Sequence, residues 1–276
     1  MQSTQAKLHF HRLVYLCKQA QPAVIVQALM AVIMTQVLIS AGNSIISVSV
    51  WLIVTMIMLS TRLWFGQKFL KLTQSRVTLS KQNIRAHTNY QTLIIFTIGL
   101  TWSWAVFMLG QTSDGLYKFG YQMIAVAFTV GIIGVGTGVL SSIPAAFYAF
   151  AMPLILSITT SLAIAAEANF HYAVIAGIIL GFIFFSATSR HFSKTFDENV
   201  IKNYTIENRE IELINRLGIA SEYRDNETGN HINRMSYSCH LLAIEAGYSH
   251  EDAELIRIAS SLHDIGTVSY THLRAH

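Results

Sequence analysis

The sequence predicts an all-α protein: a six-helix transmembrane bundle, a helical linker, and the start of a second helical domain. Two observations predict this fold class. Long runs without charged residues fill residues 1–189, and a helix that crosses a bilayer needs roughly 20 mainly apolar residues. Charge is also divided unevenly, because residues 1–189 contain ten Lys and Arg but two acidic residues, whereas residues 190–276 contain nine and thirteen. The chain therefore combines a membrane part with a charged part that faces water.

Turn-forming residues divide the charge-free runs into individual spans. The charge-free run at residues 19–61 breaks at Ala41-Gly42-Asn43, and the run at residues 119–166 breaks at Ser141-Ser142-Ile143-Pro144. Gly ends helices because its backbone is unusually free, and Pro because its ring fixes φ and removes the N–H donor. The predicted spans are residues 23–40, 44–61, 92–110, 121–140, 144–165 and 172–188.

Basic residues predict the orientation of the bundle, since loops rich in Lys and Arg stay on the cytoplasmic side. The N-terminal segment, the loop at residues 62–85 and the segment after residue 189 carry the basic residues, whereas the opposite loops hold only Lys118. We expect both termini in the cytoplasm and membrane lipid around the bundle. The loop at residues 62–85 is not expected to bind a nucleic acid polymer, because its place between two spans already explains its charge.

Ionisable side chains at bilayer depth usually mark a transport path, and the six predicted spans contain none. A transporter with a short regulatory tail is therefore disfavoured. Glu167 and His171 lie at the outer rim, where a solvated loop is the expected role and contact with an external ligand is the alternative. Gly177-x-x-x-Gly181 is typical of close helix packing and is a candidate dimer contact.

The segment from about Phe192 to Ala220 contains no Pro and, before Gly218, no Gly, so we predict one continuous helix. Its apolar residues recur at loosely helical intervals, which suits a short two-stranded coiled coil. This pattern suggests a homodimer joined through a helical linker.

Two shorter helices follow the linker. Apolar residues at steps of three and four predict an amphipathic helix that ends at Gly247; they are Ile232, Met235, Cys239, Leu242 and Ala246. Ser249, with Asp252 three residues later, is placed to cap the next helix. The residues of that helix expected in the core are Ala253, Ile256, Ala259 and Leu262.

Four side chains around these helices form a candidate metal site, namely Glu227, His231, His263 and Asp264. Glu227 and His231 are four positions apart, so they share one face if the turn around Gly229 is helical. Neighbouring side chains on a helix diverge by about 100°, which lets His263 bind one ion while Asp264 reaches between two. Nitrogen and oxygen ligands favour divalent Fe, Mn or Mg-like ions over a structural zinc. A pair of such ions suits phosphodiester hydrolysis.

A group of local motifs extends this pattern: Glu222-Tyr223-Arg224-Asp225, Glu227-Thr228-Gly229, His231, Arg234-Met235 and Leu262-His263-Asp264-Ile265-Gly266. With these motifs, residues 213 to 266 resemble the beginning of an HD-GYP domain, the bacterial family of metal-dependent phosphodiesterases that degrade cyclic di-GMP. The resemblance implies an HD-type phosphohydrolase fold, four metal ligands with Asp264 bridging, and cyclic di-GMP as a ligand of the full-length parent. Residues 1–189 are similar in layout to membrane sensor modules of such enzymes, which implies the bacterial inner membrane.

The family pattern is incomplete in this sequence. Thr267 stands where the family has a Lys that contacts the substrate phosphate, and the later histidines and the Gly-Tyr-Pro loop do not follow. Residues 268–276 resemble translated adapter sequence and are expected to be a non-native tail. The predicted domains are a sensor (1–189), a linker (190–212), a truncated HD-GYP domain (213–267) and this tail.

Two functions follow from this reading. The first is a membrane-bound signalling protein whose intact parent hydrolyses cyclic di-GMP, with the present chain an inactive fragment to which no catalytic residue is assigned. The second is a membrane sensor whose degenerate HD-like domain binds a nucleotide or a protein. If Thr267 is native, it favours the second function.

Overall fold

The computed structural model describes residues 2–74, 80–111, 118–164, 169–222 and 230–263. Over these ranges the chain is helical and contains no strand. The helices are α1 (Gln2–Lys18), α2 (Ala20–Ser40), α3 (Ile45–Gln74), α4 (Lys81–Gly110), α5 (Lys118–Leu140), α6 (Pro144–Ile164), α7 (Asn169–Glu222), α8 (Asn230–Glu245) and α9 (His250–Ser260).

Six helical segments in the described residues are long and apolar enough to cross a membrane. They are Lys7–Ser40, Ile45–Thr73, Gln82–Gly110, Lys118–Leu140, Pro144–Ile164 and Phe170–Ala220. Each contains one of the predicted spans, apart from residue 44, which precedes α3, and residue 165, which lies outside the described residues. The predicted all-α membrane bundle is therefore confirmed.

Both predicted breaks between adjacent spans are confirmed. Gly42 has a φ of 85°, and its N–H donates to the Ile39 carbonyl at 3.0 Å, while the next N–H reaches the Leu38 carbonyl at 3.2 Å. Glycine adopts this left-handed conformation without steric cost, so it closes α2 in the usual way. The second break ends α5 at Leu140 and begins α6 at Pro144, where the missing N–H of proline costs no hydrogen bond.

The closest packing in the bundle joins α4 to α6. A Cβ added to Gly99 would stand 2.8 Å from the Phe150 carbonyl oxygen, so only glycine permits this approach. Pro153 lies inside α6, and its carbonyl accepts the Ser103 hydroxyl at 3.0 Å. Ser157 returns a bond to the Ser103 carbonyl at 2.7 Å. Small residues that admit close backbone contact and hydroxyl groups that bond across helices are typical of membrane bundles.

The expected loop at residues 62–85 is largely helical instead. Helix α3 continues to Gln74, and α4 begins at Lys81. Arg62 is 1% exposed, close to Cys17 of α1. The guanidinium is buried together with its stem, since Nε and Nη2 are covered and have no hydrogen-bond partner within the described residues.

The N-terminal helix α1 is bound to α7 by an ion pair that the sequence does not predict. The Arg12 guanidinium donates from Nε to Asp197 Oδ1 at 2.8 Å and from Nη2 to Oδ2. The Tyr15 ring lies 5.1 Å from the Phe196 ring, between centroids. Bidentate arginine–carboxylate pairs have a fixed geometry, so this contact holds α1 in one register on α7.

The predicted continuous helix at residues 192–220 is confirmed, since α7 covers it. The chain divides into two compact units, Met1–Glu198 and Asn199–His276; the finer domain boundaries stay predictions. Of the two residues predicted at the outer rim, His171 has its Nε2 3.4 Å from Gln122 Oε1, while Glu167 lies outside the described residues.

We expect Asp197→Asn to lower the unfolding free energy of the first unit by about 2 kcal/mol, since a charge-assisted pair in a partly buried setting is lost. All four tryptophans lie in this unit, so their fluorescence during thermal unfolding in detergent measures the effect. The matched control is Glu198→Gln, which removes an exposed i,i+4 pair with Lys194 and should cost at most about 0.5 kcal/mol. Equal effects of the two variants would contradict the prediction.

Candidate metal-binding site

Helices α8 and α9 and the turn between them form the part of the second unit that carries the candidate ligands. Gly247 has a φ of 87°; its N–H donates to Ile244, and the Tyr248 N–H donates to Ala243, both at 3.0 Å. This pair of bonds is a Schellman ending, which satisfies the last carbonyls of α8. The Ser249 hydroxyl then accepts the Asp252 N–H at 3.0 Å. The predicted end of α8 and the predicted cap of α9 are both confirmed.

The buried faces of the two helices differ in part from the predicted ones. Ile232 and Ala253 are buried as expected. Leu242 is instead 69% exposed, and Ala243 takes the buried position beside it. Ile256 is also exposed. A period of 3.6 residues leaves neighbouring positions nearly equivalent at the edge of an apolar face, so only the packed partner decides which one is covered.

The structure brings two of the four predicted ligands close together. His231 lies in the first turn of α8, and His263 lies in the turn after α9. Their ring centroids are 6.3 Å apart, with the ring planes inclined by 58°. Glu227 and Asp264, the two predicted carboxylate ligands, lie outside the described residues.

The imidazole of His263 is oriented by the backbone of its own turn. Its Nδ1 lies 3.1 Å from the Ser260 carbonyl oxygen. A carbonyl oxygen can only accept, so this contact is a hydrogen bond when Nδ1 carries the proton. In that tautomer Nε2 carries the lone pair, which is the arrangement that metal-binding histidines commonly adopt.

The donor set in the described residues consists of these two imidazoles. Nowhere in residues 230–263 or the other described ranges do three or more His, Cys, Asp or Glu side chains form a group able to hold a metal ion. Two nitrogen ligands are compatible with a divalent metal site, but they do not complete it, because such sites need further oxygen ligands. The four-ligand set and the identity of the metal therefore stay predictions.

Gly218 of α7 allows the turn before His263 to approach. A Cβ on Gly218 would collide with the Ser261 carbonyl oxygen and would lie 3.4 Å from Ile232 Cδ1. Ser261 is buried, and Ile232 is next to His231 in the chain. The absence of a side chain at residue 218 thus sets the spacing of both histidine-bearing segments.

Glu254 and Arg257 of α9 and His240 of α8 form a polar cluster that the sequence analysis does not identify. Glu254 accepts two bonds from Arg257 Nε, at 3.0 and 2.9 Å, and one from Nη2 at 2.6 Å. Its other neighbour is His240, whose Nδ1 lies 3.6 Å from Glu254 Oε2. The Arg257 hydrogen bonds hold the pKa of the Glu254 carboxyl below its usual value. In the sequence, the three-residue spacing of Glu254 and Arg257 is the pattern that could have predicted this ion pair.

We expect Gly218→Ala to destabilise α8 and α9, because overpacking at a close contact costs about 1–3 kcal/mol. Glycine to alanine inside a helix otherwise stabilises by about 1 kcal/mol, so the sign of the change is diagnostic. Hydrogen exchange of the α8 and α9 peptides measures it. Gly138→Ala is the control, since no atom lies within 4 Å of its added Cβ. Slower exchange in Gly218→Ala would refute the close contact.

We also expect the contacts of Glu254 with Arg257 and His240 to weaken in acid. The folded pKa of Glu254 lies below its usual value of 4.5, so its stabilising contribution is present above that pH and is lost as the pH falls through the folded pKa. Hydrogen exchange, corrected for intrinsic rates, should show α8 and α9 loosening below about pH 4.5. Glu254→Gln should reduce this pH dependence, while Glu245→Gln, at an exposed position, should keep it.

Comparison with known proteins finds two short local similarities. No protein-family model matches the chain, and no solved structure matches it. The chain is 41% identical over 64 residues, 23% of its length, to the cyclic di-GMP phosphodiesterase response regulator RpfG of Xanthomonas campestris. It is 41% identical over 58 residues, 21% of its length, to the 3'3'-cGAMP-specific phosphodiesterase 2 of Vibrio cholerae. The matches cover 17% and 11% of these two proteins, so the chain is locally similar to phosphodiesterases that act on cyclic dinucleotides.

Proposed function

We propose that this chain belongs to a membrane-bound signalling protein whose second unit takes part in metal-dependent hydrolysis of a cyclic dinucleotide. The observation that carries the proposal is the approach of His231 and His263, with 6.3 Å between ring centroids. It is joined by local similarity to two phosphodiesterases of this substrate class. Six helices long and apolar enough to cross a membrane support the membrane location.

Four residues would hold the divalent ions: Glu227, His231, His263 and Asp264. Divalent ions of the Fe, Mn or Mg type would supply a bound water of lowered pKa and would neutralise charge on the phosphoryl oxygens. The chain itself contributes orientation. The Ser260 carbonyl accepts from His263 Nδ1 and so directs Nε2 away from the turn, while Glu254 Oε2 of α9 lies 3.6 Å from His240 Nδ1 of α8.

Cyclic di-GMP is the substrate we propose, following the resemblance of residues 213–266 to HD-GYP domains. The two locally similar proteins are named for cyclic di-GMP and for 3'3'-cGAMP, and these two ligands share a cyclic phosphodiester backbone. The compound 3'3'-cGAMP is therefore the proper comparison substrate. We further propose that both termini lie in the cytoplasm at a bacterial inner membrane and that the α7 linker supports a homodimer.

The test uses the longer native reading frame that contains residues 1–266, purified in detergent, with cyclic di-GMP and 3'3'-cGAMP as substrates. We expect hydrolysis that is lost on chelation and restored by Mn²⁺ or Fe²⁺. His231→Ala and His263→Ala should each lower kcat/KM at least about a hundredfold, since the loss of one ligand disables a metal site. His250→Ala is the matched control and should retain activity. The chain of residues 1–276 by itself should show no appreciable hydrolysis.

The outcomes separate the two functions. Full activity in both the His231→Ala and the His263→Ala protein would remove the proposed site. Tight binding of cyclic di-GMP by the longer protein without turnover would support the alternative, a sensor with a degenerate binding module, which a native Thr267 would favour. Sequencing the native reading frame used in this experiment gives the identity of residue 267 in the native protein.

A further inference from the structure

An open groove lies on the outer surface of α3, near the end of its candidate membrane span. It has a volume of about 420 Å³ and is lined by Trp64, Gln67, Lys68, Lys71 and Leu72. The span itself covers Ile45–Thr73. By the distribution of basic residues, this end of α3 is the one predicted to face the cytoplasm.

The groove continues an exposed apolar stripe that runs the length of α3. Its members share one helix face because they follow one another at steps of three, four or seven residues. The stripe consists of five exposed residues, which are Ile46, Val50, Ile53, Ile57 and Trp64. At 1.5 Å per residue the stripe covers about 27 Å, close to the roughly 30 Å of a bilayer's hydrocarbon core. Trp64 therefore falls near the boundary between acyl chains and headgroups.

Two ammonium groups follow Trp64 on the same face. The Lys68 Nζ lies 5.0 Å from the centre of the Trp64 ring, a cation–π contact. Lys71 is one turn further along and is exposed. The sequence of α3 contains no Asp or Glu, so acidic groups on the same helix do not neutralise this end of the stripe. An apolar stripe that leads into an indole ring and two lysines is complementary to a lipid with an anionic headgroup.

We propose that α3 carries a binding site for an anionic phospholipid. The headgroup phosphate lies in the groove between Lys68 and Lys71, Trp64 marks the ester level, and an acyl chain follows the stripe toward Ile46. The length of the apolar stripe selects a lipid over a soluble phosphate compound, because a free anion gains nothing from it. This proposal is independent of the metal site and of the proposed enzymatic function.

The test is native mass spectrometry of the full chain in neutral detergent, titrated with phosphatidylglycerol and, separately, with phosphatidylcholine. We expect preferential retention of phosphatidylglycerol. Lys68→Gln/Lys71→Gln should weaken it about thirtyfold, since each lysine near an anionic surface contributes roughly fivefold. Trp64→Leu should weaken it severalfold. Lys18→Gln is the matched control, an exposed lysine outside the groove, and should change binding less than twofold.

Two further experiments test the site, namely competition by inorganic phosphate and photocrosslinking. Inorganic phosphate at millimolar concentration should leave phosphatidylglycerol bound; if it displaces the lipid, the site reads free phosphate and the proposal fails. If the double variant does not fold, a photoreactive phosphatidylglycerol is used on the unaltered protein, and its crosslink should map to residues 64–72. A crosslink elsewhere, or unchanged binding by a folded double variant, overturns the assignment.

Discussion

The hydrogen-bonding demand of the peptide backbone is the constraint on which the first unit depends. Inside hydrocarbon no water can pair with N–H and C=O groups, so each membrane span must satisfy them within its own helix. Apolar side chains then gain little from meeting one another instead of lipid. Close approach must come from small residues, and the contact of Gly99 with the Phe150 backbone is the clearest case. Ser103 and Ser157 add hydroxyl bonds that hydrocarbon cannot offer.

Two charged features of the first unit lie near the ends of its apolar stretches. Arg12 and Asp197 join the first and seventh helices just beyond the apolar stretches, and the exposed lysines of α3 follow Trp64 at the same kind of boundary. Charged groups cost least where water or headgroups reach them.

The second unit depends on turns more than on a large core. His231 opens α8 and His263 follows α9, so the histidine pair is formed by helix ends that meet. Its distance depends on the close contact at Gly218 and on the Schellman ending at Gly247. Metal sites tolerate little displacement of their ligands, and neighbouring groups that orient a ligand matter nearly as much as the ligand itself.

The sequence by itself determined the helical class, the number of apolar spans, the breaks at Gly42 and Pro144, and the capping of α9 by Ser249. These features depend on local propensity and on composition, which are properties of residues that are close together in the sequence. Only the tertiary structure decided that Arg62 is buried, that α1 pairs with α7, that Ala243 and not Leu242 is covered, and that Gly218 meets the turn before His263. Each of these depends on which distant element packs against the residue, and helical periodicity cannot specify that partner.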